Sequence, residues 1–197
     1  MTTIVDYGAG NIRSVQNTLE KIGANFEVTN DPNKVRSARR LILPGVGHFG
    51  QMMRAIDELN LRQPILEKIN SGIPFLGICV GLQCLFEGSE ESPGSQGLGV
   101  FRGSVKRFHG DARIPHMGWN SLTSTRESPL LTGLGAQPFA YFAHSYYAPV
   151  GNETAVTCTY MNTFSAVIQS NNVHAVQFHP EKSGPLGLRV MQNFLDL

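Results

Sequence analysis

At 197 residues the chain can bury a full core without disulfide or metal staples, and a single domain over 1–197 is the expected arrangement. A hydrophobic fraction of 41% against 16% charge marks a soluble globular protein, and a net charge of +1 with no basic run speaks against nucleic acid or an anionic membrane as partner. Three cysteines, Cys79, Cys84 and Cys158, form no Cys-x-x-Cys pair and no zinc spacing with histidine, a sparse odd count that fits a reducing cytoplasm.

The chain goes straight into a strand, Ile4-Val5-Asp6-Tyr7, without the basic start and apolar run of a signal peptide, and no later stretch is long enough to span a membrane. Gly8-Ala9-Gly10-Asn11 ends that strand. Ile12, Val15, Leu19 and Ile22 then share one face of a helix expected over 12–22. A second strand near Phe26-Glu27-Val28 leads to Asp31 as N-cap and Pro32 at the first position of a short helix. Arg40-Leu41-Ile42-Leu43 reads as a third strand, closed by Pro44-Gly45-Val46-Gly47. Helices are expected over 49–59 and 61–70, then a buried strand at Ile73-Pro74-Phe75-Leu76 and a helix from Leu82 to Phe86. Strands and helices alternating at this length imply parallel strands joined by crossover helices.

Beyond Phe86 the pattern changes. Residues 87–97 are polar and read as a loop. Short β-rich runs follow at 100–101, 105–108, 139–147, 154–160, 166–169 and 175–178, whose alternation and turn residues suggest antiparallel or mixed pairing. A last helix is expected over 186–195.

Two constellations carry chemistry. Gly77-Ile78-Cys79-Val80-Gly81, between the buried strand and the helix, is the cysteine form of a nucleophile elbow. Its glycines leave room for neighbouring backbone, and its thiol is expected at a helix N-terminus, where the dipole favours the thiolate. Far downstream lies Gln177-Phe178-His179-Pro180-Glu181-Lys182. Pro180 keeps His179 out of the helical region, and in an extended segment residues i and i+2 share a face, so Glu181 can hold one imidazole nitrogen while the other meets a nucleophile. Cys84, five residues on, would lie about 140° round the helix from Cys79 and cannot share that site. A buried structural cysteine and a surface His–Glu pair are the alternative readings of these stretches when each is taken alone.

Taken together, the elbow and the His-Pro-Glu segment resemble the class I glutamine amidotransferases. Tyr7 to Asn11, Pro44-Gly45-Val46-Gly47-His48-Phe49, Pro115-His116-Met117-Gly118-Trp119-Asn120, Phe142-Ala143-His144-Ser145-Tyr146 and Gln177 to Ser183 resemble, in the same order, the HisH-type glutaminase subunits of imidazole glycerol phosphate synthase. The resemblance implies an α/β fold of the flavodoxin-like amidotransferase type, with a mainly parallel central sheet flanked by helices and additional antiparallel or mixed strands in the C-terminal half. It also implies a Cys79–His179–Glu181 triad that hydrolyses glutamine, with oxyanion donors from the Val80 and Val46 N–H groups. Glycines on both sides of Val46 make its peptide easy to rotate, so that the hole is expected in one state of the turn only. Substrate contacts are implied at Gly47, Gln83, Glu91, His144, Ser145 and Tyr146. The expected partner is a cyclase subunit with an eightfold β/α barrel, docked in a heterodimer on a surface holding Asn11 and Lys182, with Trp119 lining the ammonia passage. No cofactor and no metal is called for. A paralogous amidotransferase serving another acceptor, such as a surface-sugar intermediate, shares this chemistry. An elbow cysteine hydrolase or peptidase would need neither Gln83 nor the His-x-Glu pair, and a non-catalytic α/β binding module would need none of the triad.

Overall fold

The computed structural model describes residues 1–9, 11–135 and 137–197. Gly10, within the turn expected after the first strand, lies outside them. In the N-terminal half, strands β1 (Thr2–Val5), β2 (Phe26–Thr29), β3 (Leu41–Gly45) and β4 (Phe75–Cys79) alternate with helices α1 (Ile12–Lys21), α2 (Pro32–Ser37), α3 (Phe49–Glu58) and α4 (Arg62–Asn70). β3 and β4 are buried at every position, which is why they read as short unbroken apolar runs rather than as an alternation. The helices turn apolar stripes inward: Val15 and Leu19 from α1, and Phe49, Met52, Met53 and Ile56 from α3. At α2 the cap is the expected one, with the Asp31 carboxylate accepting from Asn33 N–H at 2.8 Å and Pro32 opening the helix.

After β4 comes a short helix, α5 (Val80–Gln83), and then a series of strands: β5 (Phe86–Ser89), β6 (Phe101–Arg107), β7 (His116–Ser121), β8 (Thr123–Ser124), β9 (Phe139–His144), β10 (Tyr146–Tyr147), β11 (Thr154–Thr159), β12 (Thr163–Ser170) and β13 (Val173–Val176). Helix α6 (Gly184–Leu195) closes the chain against the core through Val190, Met191 and Phe194. The main sheet runs β2-β1-β3-β4-β13-β12-β11-β8. Its first five strands are parallel and the last three join antiparallel, so the change of character expected past Phe86 becomes a change of pairing within one sheet. β10, β6 and β5 form a second small sheet, and β7 with β9 a two-stranded ribbon.

Two expectations fail locally. The helix after the elbow stops at Gln83 rather than reaching Phe86, and Phe86–Ser89, expected to be helix end and loop, is a strand parallel to β6. The acidic residues that suggested a solvated loop satisfy neighbouring backbone: Glu87 accepts from Gly103 N–H at 2.7 Å, and Glu90 from Arg107 N–H at 2.8 Å. The 116–121 strand was not expected at all. Its face is inverted, with His116 buried while Met117 and Trp119 stand 64% and 55% exposed, so no apolar-in, polar-out alternation announces it.

Candidate active site

β3, β4 and β13 lie side by side, and their carboxyl ends meet at one edge of the sheet, where open α/β sheets place their sites. Gly45 pairs with Cys79 across β3 and β4, and Val176 pairs with Ile78 on the other flank. The residues that continue β3 and β13 therefore arrive on either side of Cys79. Cys79 itself sits at φ 53°, ψ −107°, a region costing about 1–3 kcal/mol for a non-glycine residue. That backbone reversal sends the chain from β4 into α5 within one residue. It is possible only because the layers touch there: a Cβ at Gly77 would lie 2.7 Å from the Gly81 carbonyl oxygen, and one at Gly81 would run into that of Leu43.

His179 leaves β13 in an extended conformation, φ −100° and ψ 99°, but Pro180–Lys182 forms a 3₁₀ turn. Glu181 thus reaches His179 by curling back over that turn, not by sharing the face of an extended strand. Glu181 Oε1 lies 2.8 Å from His179 Nδ1, and both side chains are 3% exposed. The Cys79 sulfur lies close enough to the same imidazole to act on its charge. Burial by itself would lower the imidazole pKa, but the sulfur on one side and the carboxylate on the other outweigh it and push His179 up to about 10.

A cavity of about 320 Å³ opens over the thiol. Every expected substrate residue lines it: Gly47, Gln83, Glu91, His144, Ser145 and Tyr146. Glu91 takes its place by capping α3, Oε2 accepting from Phe49 N–H at 2.7 Å, where the helix dipole favours an anion. Its neighbour Glu90 points elsewhere, pairing with Lys106 at 3.0 Å. His144 is a neutral spacer. Burial pulls its pKa down to about 3, and Nδ1 meets the Tyr146 carbonyl at 2.8 Å while Nε2 meets His116 Nδ1 at 3.0 Å. A carbonyl only accepts, so Nδ1 carries the proton of His144 and His116 Nδ1 donates to its Nε2.

Val80 opens α5, and its N–H, in the first turn, has no partner within the helix. Val46 differs: its N–H donates to the Tyr7 hydroxyl at 3.3 Å. Tyr7, two residues past the end of β1, is 3% exposed, and burial pushes its phenol up to about 12 against the lowering effect of that bond. In the sequence Tyr7 stands inside a motif that reveals no task for it. The same is true of Gln177, which is fully buried with its amide nitrogen 3.6 Å from the Cys79 sulfur.

The three residues expected at a partner surface divide. Lys182 lines the cavity, its ammonium 5.7 Å from the Tyr141 ring centroid, and Trp119 meets the same ring edge-on at 6.2 Å. Asn11 lies outside the cavity at the start of α1, accepting from the Ser14 hydroxyl at 2.8 Å, and α1 packs on the 180–182 turn that carries Lys182.

The family model "Glutamine amidotransferase class-I" matches residues 3–197. "Imidazole glycerol phosphate synthase subunit HisH" of Methanothermobacter thermautotrophicus is 48% identical, over 100% of this chain and 98% of that one; its namesake from Deinococcus radiodurans is 46% identical, over 97% and 91%. The chain is also 43% identical, over 99% of its length, to 34% of "Imidazole glycerol phosphate synthase hisHF, chloroplastic" of Arabidopsis thaliana. Among solved structures a glutamine amidotransferase superposes with a TM-score of 0.77 at 20% identity, covering 98% of this chain and 97% of that one, which speaks for the fold. With the elbow, the cavity and this degree of likeness over its whole length, the chain belongs to the class-I glutamine amidotransferases and, among them, to the HisH family.

Proposed function

We propose that this chain hydrolyses glutamine at Cys79 and passes the ammonia to a barrel-shaped cyclase subunit, which uses it to make imidazole glycerol phosphate and aminoimidazole carboxamide ribotide. The two chains would work as a heterodimer in the cytoplasm. The observation that carries the reading is His179 held between the Cys79 sulfur and the Glu181 carboxylate beside a cavity lined by Gln83, Glu91 and Ser145. The thiolate attacks the side-chain amide carbon of glutamine, forming a C–S bond. His179 gives its proton to the nitrogen as the C–N bond breaks and ammonia leaves. The imidazole then takes a proton from water, whose oxygen displaces the sulfur and frees glutamate. Val80 N–H is one donor to the oxyanion, and Val46 N–H is the second once it leaves Tyr7.

Polar bookkeeping supports the substrate's orientation. Both amide hydrogens of Gln83 have acceptors, the Tyr146 carbonyl at 2.8 Å and Gln177 Oε1 at 3.2 Å, so only its oxygen faces a ligand and the ligand must donate. Glu91 keeps Oε1 for the same purpose. Together they suit the α-ammonium group, leaving the amide end for Cys79. Cys79→Ala should abolish glutamine hydrolysis, with an unchanged melting curve and unchanged cyclase binding. A diazo-ketone analogue of glutamine should label Cys79, and labelling chiefly at Cys84 or Cys158 would overturn the assignment.

A further inference from the structure

The amide of Gln177 can be oriented without reference to the nucleophile. The Tyr146 carbonyl, which can only accept, stands 2.8 Å from Gln83 Nε2, so the nitrogen of Gln83 is placed there by chemistry. The same nitrogen lies 3.2 Å from the Gln177 side chain, which must therefore offer its oxygen. What remains to face Cys79 is the Gln177 NH₂ group, 3.6 Å from the sulfur and within N–H···S range. The reverse orientation would set two donors against each other at one end and an oxygen against sulfur at the other. β13 ends at Val176, in register with Ile78, so its continuation brings residue 177 beside the nucleophile.

We propose that Gln177 is a further catalytic residue of the site, a fixed neutral donor that holds the Cys79 sulfur in its anionic form. The inference rests on Cys79 being the nucleophile. A hydrogen bond to a thiolate is stronger than one to a thiol or a thioester, so the donor favours the anion over both. It therefore acts twice: in the free enzyme it raises the fraction of sulfur ready to attack, and in the second step it favours departure of the thiolate from the tetrahedral intermediate. His179 is a changing neighbour to the sulfur, passing its proton to ammonia in the first step and regaining one from water in the second. Gln177 has no proton to lose. Its buried position and its tie to Gln83 also couple the sulfur to the residue that orients the substrate.

The test is the pH dependence of Cys79 alkylation by iodoacetamide in the full-length chain without glutamine, followed by mass spectrometry. Cys84 and Cys158 will not interfere, since burial pushes both thiols well up, Cys158 to about 12. In Gln177→Met, which keeps length and apolar volume but has no donor, the midpoint of the profile should move up by about one pH unit. Alkylation below the midpoint should then be about tenfold slower. Gln177→Leu should move it in the same direction, and it serves as the second variant if one of the two folds poorly by thermal melting. A folded variant whose profile superposes on that of the wild type would overturn the proposal and leave Gln177 a core amide. Failure of the underlying reading looks different: Cys79→Ala would still turn over glutamine, whatever the alkylation profile.

Discussion

Glu181 commits one carboxylate oxygen to His179 Nδ1 in a setting where both side chains are 3% exposed, so its charge acts on the imidazole with little screening by water. Glu181→Gln keeps the shape and removes that charge. Glutamine kcat should fall by at least about 10²-fold, with binding largely retained, because the imidazolium that must form is no longer stabilised. A kcat equal to that of the wild type would reduce the triad to Cys79 and His179. Burial has the opposite consequence at three other histidines. His116, His144 and His174 are pulled down to about 4, 3 and 4 from an ordinary 6.5, so each is neutral in the fold and takes up a proton more readily when unfolded. Their contribution is complete above about pH 6.5 and is lost as pH falls below it. His179, raised to about 10, works the other way: its contribution is complete below pH 6.5 and is lost as pH rises toward 10. The melting temperature should therefore peak near pH 6.5 and already decline at pH 5.5, before most carboxylates titrate. A plateau from pH 5 to 9 would contradict these assignments. At this scale the sequence displayed the candidates for nucleophile, base and orienter, because the proposed chemistry needs those residue types at short fixed spacings. It could not display Gln177 and Tyr7 in the same way, since their tasks depend on Cys79 and Val46, 98 and 39 positions away in the chain.

Among the elements, β1 and β3 are parallel neighbours, and their carboxyl ends set Tyr7 against the turn after β3. In this arrangement the turn keeps Val46 N–H on a phenol oxygen rather than presenting it to the substrate. Losing one oxyanion donor costs roughly 10²–10³ in kcat in a well-studied protease, so if Val46 N–H is the second donor this bond should hold glutamine hydrolysis by the isolated chain down by a comparable factor. Tyr7→Phe removes the acceptor while keeping the ring in the core. It should raise glutamine hydrolysis by the isolated chain and narrow any further rise on adding the proposed cyclase with a nucleotide acceptor analogue. Wild-type chain already fully active alone, and unchanged by either addition, would show the hole to be preformed. The glycine-flanked turn was legible in the sequence; the phenol oxygen that accepts from it was not. The same holds for the strands. Buried β3 and β4 announced themselves as apolar runs, whereas β5 hid behind glutamates that hydrogen-bond neighbouring backbone, and β7 behind a polar inner face.

Across the whole molecule, parallel strands bring residues from four distant segments to one sheet edge, with the apolar core packed beneath them. The doubly wound half was readable because each strand and helix has its own period; the order of strands past β4 was not, because short antiparallel pairs carry little information about their partners. Beside the cavity the ribbon of β7 and β9 turns Met117 and Trp119 outward, more exposed than apolar side chains of that size usually are. Trp119 is the chain's single tryptophan, so all of its indole emission comes from this one spot. The free chain should fluoresce as a largely hydrated indole, with little red shift on unfolding, which makes tryptophan emission a poor monitor of its stability. On titration with cyclase the maximum should move to the blue and become shielded from iodide. A saturated complex with unshifted, fully quenchable emission would place the docking face elsewhere.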